Sequence, residues 1–140
     1  MLLLLKFDSK TIRKPIISKA TLETNALINI LRANVGARKG EMVVEVDDSK
    51  ARDVEEVFRR FGVEVVELRE GIVKDEGRCV HCGLCTSICP VEVFEFDENW
   101  RVVVREERCV HCGVCIGVCP CNALSLPVNS INKDLKFHTI

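Results

Sequence analysis

The first 71 residues of this 140-residue chain contain no cysteine, whereas the remainder holds all nine. So uneven a distribution predicts two domains of different chemistry. No apolar run approaches the ~20 residues of a membrane-spanning helix. Leu2 to Leu5 gives way at once to Lys6, too short a stretch for the apolar core of a secretory signal. The chain is therefore expected in the cytoplasm, where thiols stay reduced and disulfides are rare. Cationic excess is missing too, since 20 Lys and Arg stand against 21 Asp and Glu, a net charge of −1. Nucleic acid is not an expected partner, because its backbone is held by surplus positive charge. A phosphate-cradling G-x-x-x-x-G-K loop is also lacking.

What the chain does have is a repeat. Cys79-Val80-His81-Cys82-Gly83-Leu84-Cys85-Thr86-Ser87-Ile88-Cys89-Pro90 returns thirty positions later as Cys109-Val110-His111-Cys112-Gly113-Val114-Cys115-Ile116-Gly117-Val118-Cys119-Pro120. This C-x2-C-x2-C-x3-C-P run is the bacterial ferredoxin signature, in which three cysteines hold one [4Fe–4S] cube and the fourth crosses to the other. The spacing assigns Cys79, Cys82, Cys85 and Cys119 to a first cluster, and Cys109, Cys112, Cys115 and Cys89 to a second. Structural zinc takes its four ligands as two separated pairs, not as a triad every third residue followed by Cys-Pro. Eight thiolates leave no iron open to substrate, so outer-sphere transfer of single electrons is the expected chemistry.

The residues around the ligands fit this use. Gly83 and Gly113 are expected to admit backbone amides to the sulfurs, and Ile88 and Val118 to keep water off the cubes. Cys121 falls at the place of Val91 in the repeat and reads as a small packing residue. His81 and His111 are also equivalent, and need no ligand role because the thiolate set is complete without them. Ile72-Val73-Lys74-Asp75 leads into one motif as Val102-Val103-Val104-Arg105 leads into the other. Val93 to Phe96 and Arg101 to Val104 flank Asp97-Glu98-Asn99-Trp100, a hairpin signal. The duplicated βαβ module spans 72–126 and leaves 127–140, with Asn129 and Asn132, as a tail without a clear period.

In the cysteine-free part, Leu2 to Phe7 reads as a strand and Pro15 suits the first turn of a helix reaching about Ala26. Leu27 to Val35 alternates, with Ile28 and Ile30 on one face and Asn29 and Leu31 on the other. Glu41 to Val46 follows as a third strand. The next helix has Asp48 or Ser49 as its cap, an apolar stripe of Ala51, Val54, Val57, Phe58 and Phe61, and Gly62 as its stop. Val63 to Leu68 supplies a fourth strand, and Arg69-Glu70-Gly71 the joint to the cysteine-rich part. The class is α+β, and the order βαββαβ predicts an antiparallel four-stranded sheet with two helices on one face, ferredoxin-like in the topological sense.

Residues from about Pro15 to Leu68 resemble the NIL domain, an ACT-like ligand-binding module named for the tripeptide that stands here as Asn29-Ile30-Leu31. In methionine-importer ATPases such domains bind methionine. Without a phosphate loop, the importer's catalytic role does not carry over. A NIL domain at 1–71 fused to a two-cluster ferredoxin at 72–126 is similar to proteins of anaerobic archaea implicated in reductive incorporation of sulfide during homocysteine formation. The resemblance implies delivery of electrons to a separate sulfur-transfer enzyme, a small amino acid at the NIL domain with Asn29 as candidate ligand, and pairing through the sheets into a homodimer. An amino-acid-sensing redox module and an electron-wire subunit of a larger oxidoreductase remain as alternatives.

Charge divides along the same line. Residues 1–74 carry a net +2 and residues 75–140 a net −3. Eight thiolates subtract eight and two oxidised cubes return four, which takes the second part to −7. An acidic electron donor of this kind is expected to dock on a basic patch.

Overall fold

In the computed structural model, which describes residues 1–127, the run Leu2–Phe7 forms β1 at the centre of the first unit. Its leucines are consecutive because both faces of the strand are covered, and Leu3, Leu4 and Leu5 are fully buried. β1 pairs antiparallel with β3 (Gly40–Val46) on one side and β4 (Glu64–Leu68) on the other. Outermost beside β3 runs β2 (Ile28–Val35), so the strand order is β2-β3-β1-β4. Two helices, α1 (Ile16–Thr24) and α2 (Ala51–Arg60), bring Ile16, Ala20, Val54 and Phe58 against Leu3, Leu5 and Val44 of the sheet. Leu4, Val43 and Leu68 form a separate buried cluster on the alternate positions.

The helix ends show where local chemistry departs from the sequence expectation. α1 stops at Thr24, short of Ala26, because Asn25 takes the left-handed conformation (φ 54°) that asparagine tolerates better than most residues. α2 is capped by neither Asp48 nor Ser49. Lys50 occupies the N-cap without a side-chain bond, and the Asp47 carboxylate closes the preceding turn by accepting the Ser49 hydroxyl (2.6 Å) and amide (2.9 Å). Those bonds hold the Asp47 carboxyl below its ordinary value. At the other end Gly62 (φ 85°) stops the helix as expected, with Gly62 N–H donating to Arg59 and Val63 N–H to Phe58 in the paired pattern of a Schellman stop.

Strict alternation along β2 also fails at one place. Ile28 and Ile30 pair with Val46 and Val44, and Asn29 with Glu45, but the register shifts between Ile30 and Arg32. Leu31 is the extra residue of a β-bulge and does not continue the face of Asn29. Arg32 falls opposite Val43 and donates to Glu41 at 3.3 Å.

The chain divides after Arg69. From Glu70 onward a second unit contains β5 (Val73–Lys74) paired with β8 (Leu124–Ser125), and β6 (Phe94–Phe96) paired with β7 (Val102–Val104). Short helices α3 (Leu84–Ile88) and α4 (Val114–Val118) follow the two cysteine loops. The β6–β7 turn is closed by the Asp97 carboxylate, which accepts the amides of Asn99 (2.8 Å) and Arg101 (2.9 Å). Ile72, Val93, Phe94, Val102, Leu124 and Leu126 make the core. Gly71 lies inside this unit, where a Cβ would stand 2.3 Å from the Glu106 carbonyl oxygen and 2.9 Å from the Cys109 Cβ. Of the expected tail 127–140, all but Pro127 lies outside the described residues.

Candidate metal centre

The thirty-residue duplication is written into the backbone. Left-handed residues recur in pairs at the repeat distance: His81 and His111 (φ 56° and 57°), Gly83 and Gly113 (80° and 73°), Glu92 and Asn122 (54° and 49°). Each His curls the loop so that its own amide points at the sulfur two residues back, His81 N–H to Cys79 Sγ and His111 N–H to Cys109 Sγ, both at 3.4 Å. Behind each short helix the same device recurs, with Val93 N–H donating to Cys89 Sγ and Ala123 N–H to Cys119 Sγ, again at 3.4 Å. Donors aimed at sulfur stabilise negative charge there and raise the potential of any centre those sulfurs hold.

These loops wall two hollows. One is lined by Cys79, Cys82, Cys85 and Cys119, with Val102 and Leu124 among its apolar neighbours. The other is lined by Cys109, Cys112, Cys115 and Cys89, with Ile72 and Val93. Each hollow therefore takes three sulfurs from one repeat and one from the other. Among the described residues, no three His, Cys, Asp or Glu side chains converge on a point that could hold a single ion. Four sulfurs spread around one hollow suit a cluster held at its corners, and the all-sulfur donor set is the one a [4Fe–4S] cube requires.

Electrostatics agree with that use. Burial, helped by the neighbouring sulfurs of Cys112, Cys109 and Cys89, pushes the Cys115 thiol up to about 12. Burial likewise raises Cys109 and Cys85. Sulfurs this reluctant to ionise in protein become thiolates when cationic iron displaces their protons.

Several sequence expectations need correction here. Neither Ile88 nor Val118 lines a hollow, and Ile88 is exposed; Cys85 on α3 and Cys89 just after it line the hollows instead. Water is excluded instead by Ile72, Val91, Val93, Leu124 and Leu126. The amides that reach the sulfurs are those of His81, His111, Val93 and Ala123. Gly83 is needed for its left-handed backbone and because a Cβ would lie 2.4 Å from the Phe96 Cζ. Cys121 lines the first hollow and Val91 the second, at equivalent places in the repeat.

Two residues carry roles that sequence reasoning missed. Lys74 also lines the first hollow, with its side chain only 5% exposed and its Nζ bonded to the Val102 carbonyl and the Glu76 carboxylate. The repeat places Val104 at the matching position of the other half, so the departure from symmetry was there to be read. His81 Nδ1 accepts the Val102 amide at 3.0 Å and ties the first cysteine loop to β7. Asn29, in the other unit, is exposed on β2 beside a wide hollow lined by Met1, Leu27, Glu45, Asp47 and Asp48.

Known proteins share both parts. The NIL domain family matches residues 1–67, and the 4Fe-4S dicluster domain family matches residues 78–123. The L-aspartate semialdehyde sulfurtransferase iron-sulfur subunit of Methanosarcina acetivorans is 39% identical over 96 residues, which cover 69% of this chain and 74% of that protein. The subunit of the same name from Methanocaldococcus jannaschii is 39% identical over 101 residues, 70% of this chain and 76% of its own. The chain belongs to the family of these iron–sulfur subunits. Its cofactors are [4Fe–4S] clusters, and the family's part in sulfur metabolism is that of an accessory subunit. No helix among the described residues of this subunit is long and apolar enough to cross a membrane.

Proposed function

We propose that the chain supplies electrons, through two [4Fe–4S] cubes, to a partner sulfur-transfer enzyme that forms homocysteine in the cytoplasm. Cys79, Cys82, Cys85 and Cys119 hold one cube, and Cys109, Cys112, Cys115 and Cys89 hold the other. The single observation that carries this reading is the pair of four-sulfur hollows, each completed by a cysteine from the opposite repeat. The relatives' names supply the substrate class, a semialdehyde. Converting an aldehyde carbon and hydrogen sulfide into a thiol and water consumes two electrons and two protons. Cubes that pass electrons singly, and leave no iron open, suit that demand.

The domain plan that goes with it is an ACT-like NIL domain at 1–71, the two-cluster domain at 72–126 and a tail at 127–140. In the NIL domain, the acidic hollow beside Asn29 suits the ammonium end of a small amino acid. The outer strand β2, with Ile30 and Leu31 exposed, offers an edge for homodimer formation.

Anaerobic reconstitution followed by iron and sulfide analysis tests the cofactor reading. About eight irons per chain are expected, and zinc in the hollows or disulfides among the eight cysteines would overturn it. Reduced protein should then support homocysteine formation by the catalytic subunit from L-aspartate semialdehyde and sulfide; a catalytic subunit that turns over equally well without it would end the electron-supply role. Calorimetric titration with methionine and homocysteine tests the hollow at Asn29, where absence of heat refutes the ligand.

A further inference from the structure

The internal duplication provides its own control, because any residue can be compared with its twin thirty positions away. Two apolar residues of the first repeat face solvent where their twins in the second do not, although Leu84 and its twin Val114 are both exposed (49% and 39%). Val80 is 65% exposed and its twin Val110 is 7%; Phe96 is 41% exposed and its twin Leu126 is 8%. Cys82 is exposed, whereas Cys112 is only half so, and Cys109 and Cys115 are buried. Within the second unit, Gly71 packs close against Cys109, the first cysteine of the second loop.

The exposed side is also built as a platform. Phe96 lies on the backbone of the first cysteine loop at Gly83, and the ring of Trp100 meets it at 5.9 Å between centroids. Trp100 is 76% exposed at the tip of the β6–β7 turn and is the chain's one tryptophan. An exposed indole joined through Phe96 to the loop that carries exposed Val80 and Leu84 has the composition of an interface centre, since tryptophan is among the residues that most often dominate binding. The surrounding sequence leans acidic by one charge: Asp75, Glu76, Asp97 and Glu98 stand against Lys74, Arg78 and Arg101, and Lys74 is buried and paired with Glu76.

We infer that Val80, Leu84, Phe96 and Trp100 form the docking face for a one-electron redox protein whose own exposed centre is ringed by Lys and Arg. This rests on the assignment of Cys79, Cys82, Cys85 and Cys119 to a cube. One electron crosses the face and no bond forms or breaks. The cube and the partner's centre make opposite one-electron changes. The apolar middle excludes water between the two centres, and the acidic rim steers the basic partner, so association weakens with salt.

Cytochrome c, a basic one-electron protein, serves as the probe. Reconstituted full-length chain is reduced with dithionite, freed of excess reductant and mixed with ferricytochrome c in a stopped-flow instrument. Trp100→Ala and, separately, Leu84→Lys should each lower the second-order rate constant about tenfold. Val114→Lys, the same change at the twin of Leu84, should leave it unchanged. As a readout independent of electron flow, redox-inert zinc-cytochrome c should broaden or shift the single indole N–H resonance in wild type, and fail to do so in Leu84→Lys. Iron content is measured for every variant beforehand. Wild type without iron would defeat the cluster assignment itself. Fully loaded variants with wild-type rates, or equal slowing by Val114→Lys, would overturn the docking face alone.

Discussion

Lys74 distinguishes two halves that the cysteines make look identical. It sets a cation, partly offset by Glu76, against the hollow of Cys79, Cys82, Cys85 and Cys119, where the other half offers Val104. A positive charge nearby favours the state with the extra electron, so Lys74→Met is expected to lower the potential of that cube and leave the other unmoved. Potentiometric titration followed by electron paramagnetic resonance separates the two centres. Asp8 affords a pH test in the cluster-free unit. Its carboxylate accepts the amides of Thr11 (2.8 Å) and Lys10 (3.0 Å) and the Thr11 hydroxyl, and the Thr11 amide bond is the main cause of a value below the ordinary 3.8. A depressed carboxyl contributes stability above its unfolded value and loses it as pH falls through the folded one. Thermal melts of Asp8→Asn should accordingly converge on wild type in strong acid and fall below it toward neutrality.

The cysteine loops are set by backbone conformation as much as by sulfur. Gly83→Ala forces a side chain onto a left-handed backbone, which costs about 1–2 kcal/mol by itself, and drives its methyl into Phe96. Loss of the visible cluster absorbance on heating should come earlier in Gly83→Ala than in wild type. In the other unit, Phe58 is fully buried between α2 and the sheet, and Phe58→Ala should cost about 3–5 kcal/mol in denaturant unfolding. The element types were legible because period-two alternation and the Ala51–Phe58 stripe report directly which face is buried. What alternation cannot report is an inserted residue. Leu31 is as apolar as its neighbours, yet it is the bulge, because register is settled by pairing with β3. The cap of α2 escaped because neither Asp48 nor Ser49 takes it: Lys50 holds the position without a side-chain bond, and Ser49 bonds to Asp47 in the turn before.

At the scale of the molecule, two units of unlike origin divide the energetic work. The first holds its fold by a core in which Leu3, Leu5, Val44, Val54 and Phe58 are sealed from water. The second counts cysteines among its core residues, and its paired strands are only two or three residues long. The metal-free chain is therefore expected to keep the circular dichroism of the β2-β3-β1-β4 sheet and its helices while losing structure from Ile72 onward. A second unit that stays folded without iron would contradict this. The crossed walls were readable from spacing alone, because C-x2-C-x2-C-x3-C-P supplies three corners and withholds the fourth. The difference in exposure between Val80 and Val110 was not, since the repeat puts the same residue type at both places and only the fold buries one of them. The shared walls also interlock the two repeats like clasped hands. A single proteolytic cut at the Asp97–Trp100 tip, followed by separation of the fragments, would leave each half with one sulfur too few, so damage at one exposed bend would silence both centres together rather than leave a half-charged wire.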